Sequence, residues 1–355
     1  MKSSTDKSGR LLNVFANVLP DYFALIMATG GVSIACYLLG LTIFAKILLA
    51  ANIVFYGMLS GILAVRLIRY STGVLEDLGD HKRGPGFLTI IAGTCVLGSN
   101  FAIVAQWFTV AGYLWILALV LWVVIMYSFF TFITVRENKP DLSSGFSGNW
   151  LIAIVATQGI SVLGTLLASH FQRYTAIVLF LTLVMFFIGC MLYLFLITLV
   201  FYRMTFFDVN ASELSQPYWV NMGAVAITTL AGTRLIMAAP LSHLVKDVLP
   251  FLKGFTLLFW SGGTWWIPML FFLGAWRYVY KHFPVDYNPE YWSIVFPLGM
   301  YTVCTFQLSV ALNFQPLMII PRIFVYIAII AWSAAFIGLI VKLLRKFGVV
   351  GKTKP

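Results

Sequence analysis

The chain has 355 residues, 61% of them hydrophobic and only 10% charged, with a formal net charge of +11. No soluble domain of this size needs so large an apolar share, so composition excludes a soluble protein and selects a polytopic membrane protein. Cys36, Cys95, Cys190 and Cys304 all fall in apolar runs without metal-ligand spacing, which reads them as small buried hydrophobes rather than a metal site.

The N-terminus, MKSSTDKSGR, runs into a mixed amphipathic stretch instead of an apolar core with a cleavage site, so no cleaved signal peptide is expected. A spanning helix needs about 20 apolar residues. Ten stretches qualify: 20–39, 42–67, 86–108, 111–135, 149–169, 175–202, 217–238, 248–276, 290–313 and 321–344. Connections within successive pairs are tight, as at Gly40-Leu41 or near Val110, while the connections between pairs are polar loops. The expected fold is therefore an all-α membrane protein of ten transmembrane helices in five helical hairpins. Its organisation is a cytoplasmic segment 1–19, a transmembrane domain 20–344 and a cytoplasmic tail 345–355.

Lysine and arginine counts in the loops set the orientation. Of the 23 such residues, 17 fall with the termini and the loops between pairs. The other side has only Lys46, Arg173, Arg234, Lys246, Lys253 and Arg322. Both termini are thus expected in the cytoplasm, and the positive charge reads as topology rather than a nucleic-acid footprint.

The odd-numbered stretches repeat. Phe23, Phe87, Trp150, Trp219 and Trp292 each stand near the cytoplasmic start, and small or polar residues follow at matching depth: Met27-Ala28-Thr29-Gly30, Ile91-Ala92-Gly93-Thr94, Ile154-Val155-Ala156-Thr157, Gly223-Ala224-Val225-Ala226 and Phe296-Pro297-Leu298-Gly299. Repetition at a fixed period predicts copies of one unit around an axis, with five odd helices inside and five lipid-facing even helices outside. Pro297 and Gly299 together predict a helix break in the ninth stretch, which lipid tolerates only against protein or a wet cavity.

All 12 acidic residues and the four histidines fall in loops or at helix ends. That disfavours proton pumps, sodium symporters and cation channels, which use intramembrane carboxylates and histidines. No HExxH, P-loop or GxSxG motif is present, so no enzyme, cofactor or metal is expected. Neutral donors on the odd helices could pass an anion loosely: Thr29, Gly30, Ser33, Thr94, Asn100, Thr157, Gln158, Ser161, Asn221, Thr228, Thr229, Gly299, Thr302 and Gln307. The same residues could instead satisfy neighbouring helices. Arg234, the cation furthest inside an odd helix, reads either as an anion clamp or as an arginine reaching the outer interface. Phe296 reads either as core packing or as a plug beside the Pro297 break.

PDYFALIMATGGVSIACYLLG in the first stretch resembles the YFAxxMATGxxSIA opening of the tellurite-resistance/dicarboxylate transporter family, and YWSIVFPLGMY in the ninth resembles its W-[AS]-x-x-F-P segment. The family includes tellurite-resistance proteins, malate permeases, sulfite exporters and slow-type anion channels. The resemblance implies a quasi-fivefold array around a central pore, a pore-occluding phenylalanine at Phe296, and commonly a homotrimer in the plasma membrane. The expected substrate is a C4-dicarboxylate or a small inorganic anion, moved by channel or uniport. A tellurite or sulfite exporter and a non-conducting sensing subunit stand as alternatives.

Overall fold

The computed structural model describes residues 19–208, 210, 216–284 and 287–346. Most of the two expected cytoplasmic tails, with Lys2, Lys7 and Arg10 at one end and Lys352 and Lys354 at the other, lies outside the described residues.

The protein is a polytopic all-α membrane protein. Its long helices are α1 (Ala24–Leu38), α2 (Thr42–Arg69), α3 (Leu88–Asn100), α4 (Phe108–Val135), α5 (Ile152–Leu167), α6 (Thr175–Phe206), α7 (Val220–Ala238), α8 (Leu249–Ala275), α9 (Trp292–Ala311) and α10 (Ile319–Lys346). Gly148–Phe206 forms one helical stretch of 59 residues, roughly 90 Å if it were straight and far more than one bilayer core. It breaks at Gln172 (φ 43°, ψ −109°), which divides α5 from α6.

Each odd helix is entered through one 3-10 turn: Pro20–Phe23, Gly84–Phe87, Gly148–Leu151, Gln216–Trp219 and Pro289–Tyr291. The repeated aromatics stand in these turns or directly after them, so the sequence repeat is also a repeat of local structure. Proline suits the start of a helix, where its missing N–H has no partner to lose. At the opposite ends, Gly40 (φ 86°), Gln106 (φ 57°), Gln172 and Asn313 (φ 51°) adopt left-handed backbone and reverse the chain. The second reversal, expected near Val110, lies at Gln106, where a π-helical turn over Phe101–Ala105 ends. A glutamine in that conformation carries no turn signature, so the sequence set the boundary a few residues late.

The odd helices pack in sequence, α1 on α3, α3 on α5, α5 on α7 and α7 on α9, and α9 returns to α1 to close a ring. Each even helix lies against the odd helix preceding it. Burial follows: 94% of the most apolar window of Gly84–Ala105 is buried, against 33% of that in Phe108–Val135. A helix apolar on every side belongs inside, and one with exposed Leu, Ile, Val and Phe faces lipid.

The helix α9 runs on through Pro297 instead of ending there. The proline withholds one hydrogen bond from the carbonyl of Ser293. Close packing keeps the helix together: a Cβ added at Gly299 would lie 3.0 Å from the backbone of Gly31 and Val32 in α1.

At the end where the odd helices start, Asp77 accepts from Arg66 and from Arg83, the latter at 2.9 Å. Both Arg66 and Asp77 are buried. Asp77→Ala removes the carboxylate that a buried guanidinium faces and is expected to cost on the order of 3 kcal/mol. Thermal unfolding in detergent measures it, and Glu76→Ala, an exposed neighbour, should leave the midpoint unchanged.

Candidate functional site

On α9, Ser293, Phe296, Met300 and Val303 recur at spacings of three and four and share one helix face. Ser293 lines a cavity of about 200 Å³ at the start of the ring, together with Asp21, Tyr22, Thr89, Ile152 and Glu290. Met300 and Val303 line a second, enclosed cavity of about 10 Å³, room for about one water. Every odd helix contributes to this second cavity, including Ile34, Cys95, Gly159, Leu230 and Arg234. It therefore lies on the axis of the ring. Phe296 falls on the stripe between the two cavities and is 2% exposed. A Cβ at Gly223 of α7 would lie 3.0 Å from its ring, so the missing side chain there is what makes room for the phenyl group.

Arg234 points into the axial cavity, and its Nε is buried without a partner. It stands roughly 16 Å further along α7 than Gly223 at about 1.5 Å rise per residue. The rest of the axial lining is almost wholly apolar, with Ser99 the exception.

The neutral donors are placed elsewhere. Thr29 accepts from the Trp332 indole of α10 at 3.0 Å, and Gly30 packs toward Val96 and Asn52. The Ser33 hydroxyl donates to the carbonyl of Ala45, and Asn100 donates to that of Gly30. Thr94 bonds Tyr56 of α2, Thr157 accepts from Trp122 of α4, and Gln158 and Ser161 donate to carbonyls of α6. Thr228, Thr229 and Thr302 return their hydroxyls to carbonyls four residues back. Asn221 lies beside Tyr193, although neither of its side-chain atoms has a partner of hydrogen-bonding geometry. Gln307 is buried near the far end of α9. None of these donors lines the axial cavity.

A ring of five buried helices with an apolar axis and one cation is a geometry for passing or holding a small anion. The profile of the voltage-dependent anion channel family (SLAC1) matches residues 17–340. The chain belongs to this family. It is 33% identical over 158 residues to an uncharacterized membrane protein, Rv1735c, of Mycobacterium tuberculosis (strain ATCC 25618 / H37Rv), a match covering 44% of this chain and 79% of the relative. The uncharacterized transporter MJ0576 of Methanocaldococcus jannaschii is 23% identical over 296 residues, 82% of this chain and 83% of its own. A second transporter of that organism, MJ0762, is 22% identical over 295 residues, 81% and 84% of the two chains.

In this member of the voltage-dependent anion channel family, polar aromatics of the outer helices tie the hairpins together. Tyr56, Trp122, Trp260 and Trp332 each bond a threonine on the odd helix of the following hairpin: Thr94, Thr157, Thr305 and Thr29. Tyr193 with Asn221 stands in the fifth position. The sequence shows such donors and acceptors on different helices but gives no sign of which pairs meet. It also counted Asp21 and Glu290 as ordinary helix-end acids. Both line the cavity at the ring's start, and Asp21 Oδ1 is buried there without a partner.

Proposed function

We propose that the protein moves small anions through the axis of each subunit, with Phe296 as the plug and Arg234 as the station that holds the anion on its outer side. The observation that carries this reading is Arg234, whose Nε is buried without a partner and which lines a cavity to which all five odd helices contribute. In apolar surroundings one such cation draws an anion, and no second cation among the described residues lines that cavity, which lets the anion leave. Pro297 frees a carbonyl directly below the plug and loosens α9 where Phe296 must move.

Transport is channel-like or uniport, without enzymatic chemistry, and both termini are cytoplasmic in the plasma membrane. The narrow axial cavity favours chloride, nitrate or sulfite. A second reading, C4-dicarboxylates such as malate or succinate, is favoured by the two parallel donors a guanidinium offers a carboxylate. Tellurite-linked export falls within the same small-anion class. Assembly as a homotrimer is expected, and native mass spectrometry checks it.

Reversal potentials in proteoliposomes under chloride, nitrate, sulfite, malate and succinate gradients test the proposal. Voltage-driven anion flux is expected. Flux that demands a pH gradient and ignores voltage would overturn the uniport and direct attention to Asp21 and Glu290. A chain that stays closed even without the Phe296 ring would be a sensing subunit.

A further inference from the structure

A second cationic pocket lies at the outer end of α7. It measures about 540 Å³ and is lined by Ile236 and Ala239 of α7 and its end, Ser242, His243 and Lys246 of the connection, and Lys253 of α8. Ile236 is only two residues past Arg234, so the pocket begins roughly 3 Å further along the helix than the axial cation. Among the described residues, the ion pairs all involve Asp77 or Asp80 at the opposite end of the molecule, and no carboxylate lines this pocket. Asp247 follows Lys246 in sequence and is exposed, but it does not contribute to the lining.

Two ammonium groups facing one concavity repel each other, and that repulsion is relieved when a negative ligand lies between them. The flanks are apolar, from Pro240, Leu249 and Ala311, so the charges act through a weakly screened wall. We infer that Lys246, Lys253 and His243 form an outer capture site for a small oxyanion or carboxylate with at least two charged oxygens. The inference rests on the anion-path reading: the site raises anion concentration at the outer mouth, from which Arg234 is reached. The pocket is about fifty times larger than the axial cavity, so it accepts a hydrated or divalent anion that the axis would have to strip.

The test uses the full chain and the Lys246→Gln/Lys253→Gln double variant. Both lysines are exposed, so folding should be preserved, and the unfolding midpoint confirms it. Equilibrium binding of radiolabelled sulfate to purified protein is expected to weaken about tenfold or more in the double variant, the loss expected for charge-assisted hydrogen bonds. Lys46→Gln, at an exposed lysine of α2 that lines neither this pocket nor the axial cavity, should leave that binding in place. In proteoliposomes of neutral phosphatidylcholine, the half-saturating external anion concentration should rise similarly, with a shallower dependence on ionic strength. Sulfate binding read without transport separates the two ideas: binding that the double variant abolishes supports the pocket even if wild-type protein carries no flux. Phosphatidylglycerol adducts in native mass spectra that the variant loses, without sulfate binding in the wild type, assign the oxyanion chemistry to a lipid headgroup and overturn the capture role. Equal sulfate binding in both proteins overturns the pocket altogether.

Discussion

Phe296→Ala is expected to raise anion conductance in proteoliposomes at least about tenfold, equivalent to about 1.4 kcal/mol off the barrier. Phe296 stands on the stripe of α9 between Ser293, which lines a cavity of about 200 Å³, and Met300, which lines the axial cavity of about 10 Å³. Removal of this proposed plug is expected to join the two spaces. Deleting a buried phenyl group also costs stability, on the order of 3 kcal/mol, so conductance is to be normalised to folded protein. A compensating change makes the test sharp. A Cβ at Gly223 would lie 3.0 Å from the ring, so Gly223→Leu in the Phe296→Ala background should refill the gap and lower the current again. Unchanged current in Phe296→Ala removes the plug. A raised current that Gly223→Leu leaves untouched means that the ring acts by loosening α9 rather than by filling the axis.

Arg234→Gln is expected to raise the half-saturating anion concentration by about ten- to a hundredfold and to move the reversal potential toward that of an unselective pore. Glutamine keeps much of the length and hydrogen-bonding capacity but loses the charge, and a bond to a charged group contributes about 1.5–3 kcal/mol. Arg234→Lys keeps the charge without the planar pair of donors. A lysine that restores chloride and nitrate flux but not succinate flux would show that the guanidinium's geometry selects carboxylates. Restoration of all three would assign the role to charge alone. A reversal potential and half-saturation that match wild type in Arg234→Gln would leave the cation a mere occupant of the outer mouth.

Much of the architecture was legible in the residues. Apolar content selected a membrane protein, and the aromatics Phe23, Phe87, Trp150, Trp219 and Trp292 marked five entries that the structure builds as 3-10 turns. Glycines and small side chains on the odd stretches foretold burial on all sides, because only such surfaces let helices approach from every direction. Turn positions were less legible: Gln106 and Gln172 reverse the chain in left-handed backbone, which glutamine side chains do not announce.

The site divides along the same line. Composition and spacing determined that Arg234 stands well inside a buried helix and that Phe296 adjoins the one proline of the ninth span. Which way each polar side chain turns was decided only by tertiary packing. Thr29, Thr94 and Thr157 present the same chemistry whether they face a lumen or a neighbour, and the deciding partners, Trp332, Tyr56 and Trp122, lie on other helices. In a low-dielectric interior an unpaired indole N–H or phenol is costly, so these outer aromatics draw the hydroxyls away from the axis. What remains at the centre is apolar, apart from Ser99 and a guanidinium whose Nε no protein group satisfies.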